Sequence, residues 1–245
     1  MSLDTLPQEK HYTLGIAGHI DHGKTTLTKA LTGQDTDRLK EEKTRKISIE
    51  LGFASFPLSS GKLVSIIDVP GHERFIRQMV AGVAGIDLVI LVIAADEGVM
   101  PQTKEHLDIL ELLGIKHGLI VLTKVDKVDQ EFLELVEEQV REETAGTFLA
   151  DSPLLYVNSM SGQGIEALKL EIEKVLSKLP SRPVQGITRV PIDRVFSKKG
   201  FGTVITGTVY QGKVSVGDEL ELLPQYKKVK VRQIQVHGQT KEVAY

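Results

Sequence analysis

The stretch Gly18-His-Ile-Asp-His-Gly23-Lys24-Thr25 decides the fold of this chain. It has the pattern G-x-x-x-x-G-K-[ST], a glycine-rich loop whose backbone N–H groups surround phosphate oxygens. An apolar strand at residues 12–17 precedes it and a helical segment at residues 26–31 follows it, which is the context that the motif requires. We therefore predict a phosphate-binding loop, in which Lys24 supplies positive charge to the terminal phosphates and the Thr25 hydroxyl is a Mg²⁺ ligand.

Short apolar runs alternate with amphipathic segments around this loop, up to about residue 180. The runs at residues 12–17, 63–67, 88–94, 118–122 and 154–157 are predicted strands, and residues 102–113, 130–143 and 164–179 are predicted helices. Nearly continuous β-branched strands that alternate with helices are typical of a parallel sheet buried on both faces. We predict an α/β domain over residues 1–180, with a doubly wound, mostly parallel sheet.

The sequence pattern changes after Pro180. Pro180 and Pro183 interrupt the last predicted helix. Short strands bounded by glycines follow at residues 189–196, 202–210, 218–223 and 229–236. We predict a second, all-β domain over residues 181–245.

Composition excludes several classes of protein. The 245 residues include no cysteine, which excludes disulfides and thiolate metal sites and favours a cytoplasmic location. No apolar run reaches the roughly 18 residues of a membrane span, and the N-terminus lacks the pattern of a secretory signal, so no membrane partner is expected. The formal net charge of −3 argues against indiscriminate nucleic-acid binding, so we expect any nucleic acid to be bound by a local patch.

A second motif follows the predicted strand at residues 63–67. Asp68 stands at the carboxyl edge of the sheet, beside the phosphate loop if the sheet is doubly wound, where it can hold Mg²⁺ through water. Gly71 permits a close approach of its N–H to a terminal phosphate. His72 comes next and can orient or polarise an attacking water, so His72 is the predicted catalytic residue.

Two further loops are predicted to bind the nucleotide base. Asp126 offers a carboxylate to the ring N–H and the exocyclic amine of guanine, neither of which adenine presents there, and this favours GTP over ATP. The Lys124 stem can lie along the base, and the turn at residues 158–160 can offer backbone N–H groups to the guanine carbonyl. Both segments are also compatible with ordinary turns at strand ends. The predicted nucleotide-binding residues are His19, Ile20, Asp21, His22, Gly23, Lys24, Thr25, Thr26, Asp68, Gly71, Thr123, Lys124, Asp126, Asn158, Ser159 and Met160.

Together these motifs resemble those of the translational GTPases. The resemblance includes the phosphate loop, Asp68-Val-Pro-Gly-His-Glu73 and the Lys-x-Asp base motif, and the segment at residues 200–209 is similar to the β-barrel second domain of elongation factor Tu. Within the family, the segments at residues 36–39 and 51–54, and Thr123 in place of the usual Asn, are most similar to selenocysteine-specific elongation factors. The resemblance implies a P-loop GTPase domain followed by a β-barrel domain, with GTP or GDP and Mg²⁺ as cofactors.

The resemblance also implies a function and partners. The expected activity is delivery of selenocysteinyl-tRNA to the ribosome, with hydrolysis of GTP to GDP and phosphate. The resemblance makes Ser48 the switch hydroxyl on Mg²⁺, beside Thr25 and Asp68, where most relatives have threonine. Arg45 and Lys46 stand where the family has a basic residue followed by glycine.

We predict that Phe53, Asp193 and Arg194 help to form a pocket for the aminoacyl group. A selenol is far more acidic than a hydroxyl, so a cation at Arg194 would distinguish selenocysteinyl-tRNA from its seryl precursor, with Asp193 orienting the guanidinium. The alternative is that Asp193 and Arg194 form a surface ion pair on an edge strand.

Other functions share these motifs. The alternatives are another elongation factor Tu-like factor, an initiator-tRNA-binding initiation factor subunit, or a regulatory GTPase outside translation. The chain is expected to be a fragment whose barrel is truncated at Tyr245. It would then lack the C-terminal region that contacts a messenger RNA hairpin in bacterial selenocysteine factors.

Overall fold

The structure is a computed structural model that describes residues 12–36, 48, 50–59, 61, 63–72, 76–83, 85–180, 185–200 and 202–245. Residues 45 and 46, where the sequence departs from the family pattern, lie outside this part of the chain. Contacts divide the described residues into an α/β unit, residues 12–179, and a β unit, residues 180–245. No helix in the described ranges has the length and apolarity that a membrane crossing needs.

Six strands form the central sheet of the α/β unit, in the order β2-β3-β1-β4-β5-β6. Strand β2 is antiparallel to β3 and all other neighbours are parallel, which confirms the predicted mostly parallel α/β fold. The strands are β1 (Thr13–Gly18), β2 (Gly52–Pro57), β3 (Leu63–Asp68), β4 (Leu88–Ala94), β5 (Gly118–Thr123) and β6 (Leu154–Tyr156). The helices are α1 (Lys24–Thr32), α2 (Ile76–Val83), α3 (Pro101–Leu112), α4 (Gln130–Thr144) and α5 (Ile165–Lys178), with a 3₁₀ turn at Val125–Lys127.

Apolar periodicity explains how the helices cover the sheet. Every residue of β1, β4 and β5 is buried, as expected for strands with helices on both faces. Helix α5 buries residues at three- and four-residue spacing, Ile165, Leu168, Ile172 and Leu176, in a cluster that also contains Leu27 of α1. Each such side chain contributes about 1.5–3 kcal/mol by burial, so these faces hold the layers together.

Two elements of the α/β unit were not predicted from the sequence. Strand β2 lies at the sheet edge, and its residues alternate between buried and half-buried positions up to an exposed Pro57. An edge strand bounded by glycine and proline lacks the long apolar run that marked the central strands. Helix α2 has only eight residues, too few for a clear helical period.

The β unit consists of short antiparallel ladders, which confirms the all-β prediction for this segment. The pairs are β7 with β8, β9 with β14, β10 with β11, and β12 with β13. The strands are β7 (Ile192–Lys198), β8 (Gly202–Gly207), β9 (Val214–Ser215), β10 (Glu219–Leu222), β11 (Lys227–Lys230), β12 (Ile234–Val236), β13 (Gln239–Lys241) and β14 (Val243–Ala244). The single strand expected at residues 229–236 is two strands with different partners: β11 pairs with β10, and β12 pairs with β13.

Candidate nucleotide-binding site

The phosphate loop connects the end of β1 to the start of α1, as predicted. Gly18 ends β1 with φ 140°, and a Cβ there would overlap the Val92 carbonyl oxygen, so only glycine fits. Helix α1 begins at Lys24, so its unsatisfied N–H groups open on the loop. A helix N-terminus of this kind attracts phosphate oxygens. Of the other loop residues, His22 is buried, His19, Ile20 and Gly23 are half-buried, and Asp21 and Thr26 are exposed.

A buried lysine and a glycine meet at this loop. Lys24 is 6% exposed, and its Nζ donates to the carbonyl oxygen of His19 at 2.5 Å. A Cβ at Gly71 would lie 2.8 Å from the backbone nitrogen of Ile20 and would collide with the Lys24 ammonium. The structure therefore brings the loops after β1 and β3 into contact, and the missing side chain at Gly71 lets the two backbones approach closely.

Four side-chain oxygens gather beside the start of α1. Strand register places Asp68 next to Ile16, and Asp68 Oδ2 accepts hydrogen bonds from Thr25 Oγ1 at 2.8 Å and Thr36 Oγ1 at 2.7 Å. Ser48 Oγ lies 2.9 Å from Thr25 Oγ1. A carboxylate with neighbouring hydroxyls is a hard-oxygen donor set, and this set fits Mg²⁺. Thr36 was not predicted as a site residue, because nothing in the sequence spacing relates it to Asp68.

A group of two histidines and a glutamate lies near the loop but does not fit a transition metal. The rings of His19 and His22 are 4.9 Å apart between centres, and one ligand atom each of His19, His22 and Glu97 lies within 4.8 Å of the others. Ligand atoms around tetrahedral zinc are about 3.3 Å apart, because Zn–N bonds are about 2.0–2.1 Å. Burial is the larger cause that lowers the pKa of His19, and the positive charge of Lys24 is the second. The same charge opposes the binding of a second cation here.

The predicted base motif is tied to the phosphate loop and to the end of β4. The buried Thr123 donates from Oγ1 to the carbonyl oxygen of His22 at 2.7 Å. Lys124 adopts a left-handed backbone conformation with φ 55°, and its ammonium lies 2.8 Å from Glu97 Oε1 and 3.3 Å from Asp96 Oδ1. Burial lowers the pKa of Lys124, but the hydrogen bond to Glu97 and the two carboxylate charges outweigh it and raise the pKa. Asp96 and Glu97, which sequence reasoning missed, therefore hold this lysine.

The remaining predicted base contacts lie on two exposed turns. Asp126 is exposed in the 3₁₀ turn. Asn158 Oδ1 accepts hydrogen bonds from the backbone N–H of Met160 at 3.0 Å and of Ser161 at 3.1 Å, so the side chain closes its own turn. Ser159 is half-buried and Met160 is 87% exposed. The Met160 N–H is thus engaged by Asn158 in this conformation.

The other predicted site residues belong to different parts of the chain. His72 is half-buried directly after Gly71. Phe53, on β2, packs against the apolar cluster that contains Met79. In the β unit, Asp193 accepts a hydrogen bond from the Thr206 hydroxyl. Burial raises the pKa of Asp193, although this bond and the charge of Arg194 act in the opposite direction.

Comparison with known families agrees with this geometry. The model of the elongation factor Tu GTP-binding domain matches residues 9–181, which is more than half of the chain. The chain belongs to this family. The model of elongation factor Tu domain 2 matches residues 202–245. As a member of the elongation factor Tu GTP-binding family, the chain has a GTP-binding domain, and the predicted base motif and phosphate loop lie within the residues matched to that domain.

Individual relatives of this elongation factor Tu-like chain carry more specific names. It is 53% identical to the selenocysteine-specific elongation factor of Desulfomicrobium baculatum over 94% of its own length and 36% of that protein. It superposes with TM-score 0.88 on the crystal structure of a bacterial selenocysteine-specific elongation factor, at 43% identity, covering 96% of this chain and 40% of that one. Identity to translation initiation factor 2 subunit gamma of Thermococcus onnurineus is 36%, over 89% of this chain and 60% of that protein. The chain spans a little over a third of the selenocysteine-specific relative that it matches.

Two buried histidines of this GTP-binding domain are expected to make its stability fall in acid. The pKa of His22 is lowered to about 4, mainly by burial and next by the nearby His19. The pKa of His106 is lowered to about 3, mainly by burial and next by the charge of Lys24. In the unfolded chain both groups take up protons below about pH 6.5, so the folded state loses stability as the pH falls from there toward 4. Between pH 6.5 and 5 each histidine is expected to remove about 2 kcal/mol from the free energy of unfolding.

Urea denaturation at several pH values measures this effect. The matched variant is His106→Asn, which retains a hydrogen-bond acceptor but cannot titrate. It should lose about 2 kcal/mol less than the wild type over this pH range. Identical losses in the two proteins would show that His106 is not the titrating group.

Proposed function

We propose that this chain binds GTP with Mg²⁺ and hydrolyses GTP to GDP and phosphate, as the nucleotide-binding part of a selenocysteine-specific elongation factor. The observation that carries the proposal is the meeting of the buried Lys24 ammonium, the start of α1 and the oxygens of Thr25 and Asp68 at one loop. Positive charge, oriented N–H groups and oxygen ligands are together what a magnesium-bound triphosphate requires.

In this proposal each part of the loop has one task. Backbone N–H groups at the start of α1 and the Lys24 ammonium bind phosphate oxygens, and the charge of Lys24 stabilises negative charge that develops on the terminal phosphate. Thr25, Ser48 and Asp68 would hold Mg²⁺, which supplies further charge neutralisation when it is bound. His19, Ile20, Asp21, His22, Gly23 and Thr26 complete the loop around the phosphates.

The base side of the site is proposed to select guanine. Asp126 is exposed and accepts two hydrogen bonds from the base, while the Lys124 stem, held at its end by Glu97, lies along the base plane. Thr123 links this motif to the phosphate loop through the His22 carbonyl, so base and phosphate contacts are set relative to each other. Asn158, Ser159 and Met160 line the far side of the base.

His72 is proposed to orient the water that attacks the terminal phosphate. It directly follows Gly71, whose Cα lies beside the backbone of the phosphate loop and the Lys24 ammonium, and this proximity in the chain supports the role. Positioning of water by one side chain typically contributes two orders of magnitude or more to a rate.

The change His72→Ala tests the GTPase proposal. We expect GDP and GTP affinities within about twofold of the wild type, because the side chain does not hold phosphate. Ribosome-stimulated hydrolysis by the longer protein should fall about a hundredfold in single-turnover assays. Wild-type hydrolysis rates in this variant would assign the water-positioning role to another residue, and a large loss of GTP affinity would place His72 among the binding groups instead.

Delivery of selenocysteinyl-tRNA to the ribosome is proposed for the longer protein to which this segment corresponds. The support is the identity of 53% to a relative named as a selenocysteine-specific factor, against 36% to an initiation factor subunit. Translation takes place in the cytoplasm, which is the location that the proposal implies. We also propose the domain boundary at residues 180 and 181, which the division of contacts after Leu179 supports.

Arg194 is proposed to recognise the charged aminoacyl side chain, with Asp193 as its neighbour on β7. An anionic selenolate gains a charge-assisted hydrogen bond from a guanidinium, and a seryl hydroxyl gains only a neutral one. We expect Arg194→Ala in the longer protein to reduce the preference for selenocysteinyl-tRNA over seryl-tRNA about tenfold, measured by protection of the aminoacyl ester from hydrolysis. Arg194→Lys, which retains the charge, is the control. An unchanged preference in Arg194→Ala would eliminate the pocket and leave the GTPase proposal intact.

A further inference from the structure

Helix α3 holds the backbone of the phosphate loop through two side chains. Gln102 and His106 are four residues apart and therefore lie on one face of the helix. The backbone N–H of Gly18 donates to His106 Nδ1 at 3.0 Å, and the N–H of Ile20 donates to Gln102 Oε1 at 3.2 Å. Two alternate amides of the loop thus point away from α1 and toward α3.

We propose that His106 and Gln102 are positioning residues for nucleotide binding, which fix the loop in the shape that its remaining N–H groups need to surround phosphate. The inference rests on the proposed phosphate-binding role of the loop. Neither residue was among the nucleotide-binding residues predicted from the sequence. They follow the loop by more than 80 positions, so only the packing of α3 against β1 brings them to it.

The bond from Gly18 requires one form of the His106 ring. His106 is 1% exposed, and a ring nitrogen that accepts a hydrogen bond carries no proton, so the proton of the neutral ring is on Nε2. Burial keeps the pKa of His106 at about 3, and the acceptor is therefore present throughout the neutral range. Gly18 cannot turn easily, because its neighbour Val92 fills the space around its Cα. A Gly18 N–H without this acceptor would be buried and unsatisfied.

The Ile20 backbone nitrogen, which donates to Gln102, also lies close to Gly71. The Gly71 Cα faces the backbone of His19 and Ile20, and Gln102 holds the Ile20 amide. The loop thus contacts both the segment after β3 and helix α3. If the α3 contacts are removed, the Gly18 N–H is left unsatisfied and the Ile20 amide can turn to solvent, so nucleotide binding must restore the original loop shape at the expense of affinity.

The experiment compares variants that remove each acceptor with variants that keep it. His106→Leu and Gln102→Met remove the acceptors at nearly constant volume. His106→Asn replaces the ring Nδ1 by an amide oxygen at a similar place, and Gln102→Glu retains an oxygen acceptor. Thr103→Val is the matched control, because Thr103 lies between them on α3, is buried, and has a hydroxyl without a hydrogen-bond partner among the described residues. The measurements are the dissociation constant and dissociation rate of a fluorescent GDP in the presence of Mg²⁺.

We expect His106→Leu to weaken GDP binding about tenfold, mainly through faster dissociation, and Gln102→Met to weaken it about threefold. His106→Asn should recover affinity to within about twofold of the wild type, and Thr103→Val should bind as the wild type does. The discrimination between GTP and xanthosine triphosphate should be unchanged in all of them, because the base site is untouched. A ¹⁵N spectrum of His106 should show the proton on Nε2, and the downfield Gly18 amide signal should be lost in His106→Leu.

Several outcomes overturn the proposal. A purely structural role would lower the unfolding midpoint of His106→Leu but leave its GDP affinity at the wild-type value. Should His106→Leu fail to fold, the half-exposed Gln102→Met decides the question, and wild-type dissociation rates in that variant refute the proposal. The variant Lys24→Ala distinguishes failure of the phosphate-loop assignment from failure of the α3 proposal. If Lys24→Ala binds GDP normally, the phosphate-loop assignment is wrong. If Lys24→Ala loses GDP affinity but His106→Leu binds GDP normally, only the role of α3 is refuted.

Discussion

Lys24→Ala is expected to weaken the binding of GDP and GTP about a thousandfold. The ammonium is 6% exposed and held by the His19 carbonyl, so it is a desolvated charge whose position is already fixed before phosphate arrives. An interaction between a fixed, partly desolvated cation and a polyphosphate is worth several kcal/mol, and no other residue can replace it at this position. Isothermal titration with GDP in the presence of Mg²⁺ measures the loss.

Lys24→Arg and Lys29→Ala are the controls for this prediction. Arginine retains the charge but cannot occupy the space beside Gly71 in the same way, so a partial loss of affinity is expected. Lys29 is a cation of the same helix that is exposed and pairs with Asp35, so its removal should leave affinity unchanged. A wild-type affinity in Lys24→Ala would show that the loop does not bind phosphate through this residue.

The central part of the fold could be predicted from the sequence, and its edges could not. Strands β4 and β5 are unbroken apolar runs, and burial on both faces is the physical cause of that pattern. Strand β2 is half-covered and bounded by Gly52 and Pro57, so its pattern is weak although its pairing with β3 is extensive. Its structure depends on the neighbouring strand more than on its own residues.

For the site, the sequence predicts residues that belong to local motifs and misses those that support them from elsewhere. Lys24, Thr25 and Asp68 are recognisable because strand-loop-helix geometry forces their types at fixed spacing. The supporting residues form hydrogen bonds between segments that are distant in the chain. These bonds join Thr36 to Asp68, Lys124 to Glu97, and the Gly18 N–H to His106. Threonine, glutamate and histidine in those segments are also compatible with ordinary helix or loop positions, so no local pattern distinguishes them.

Asp126→Asn is expected to change the nucleotide preference of the chain from GTP to xanthosine triphosphate. Guanine presents a ring N–H and an exocyclic amine to the carboxylate, and an amide in its place offers one acceptor and one unmatched donor. Each charge-assisted hydrogen bond contributes about 1.5–3 kcal/mol, so GTP affinity should fall about a thousandfold. Xanthine has a carbonyl where guanine has the amine, so it accepts from the new amide and should bind at least a hundredfold better than it does to the wild type.

Competition between GTP and xanthosine triphosphate measures the ratio of their affinities. The reporter is a fluorescent GDP analogue for the wild type and a fluorescent xanthosine analogue for Asp126→Asn. Asp129→Asn is the matched control, since Asp129 is also an exposed aspartate after β5 but caps helix α4 through the Phe132 N–H. That variant should retain the helix cap, because asparagine and aspartate cap helices about equally well, and it should retain its preference for GTP. Asp126→Asn should keep the backbone of the base site, because Thr123 bonds to the His22 carbonyl and Lys124 bonds to Glu97, and these contacts fix the segment before residue 126. The base specificity of Asp126→Asn can then change without loss of the phosphate contacts. If Asp126→Asn still prefers GTP as strongly as the wild type, another group recognises the base.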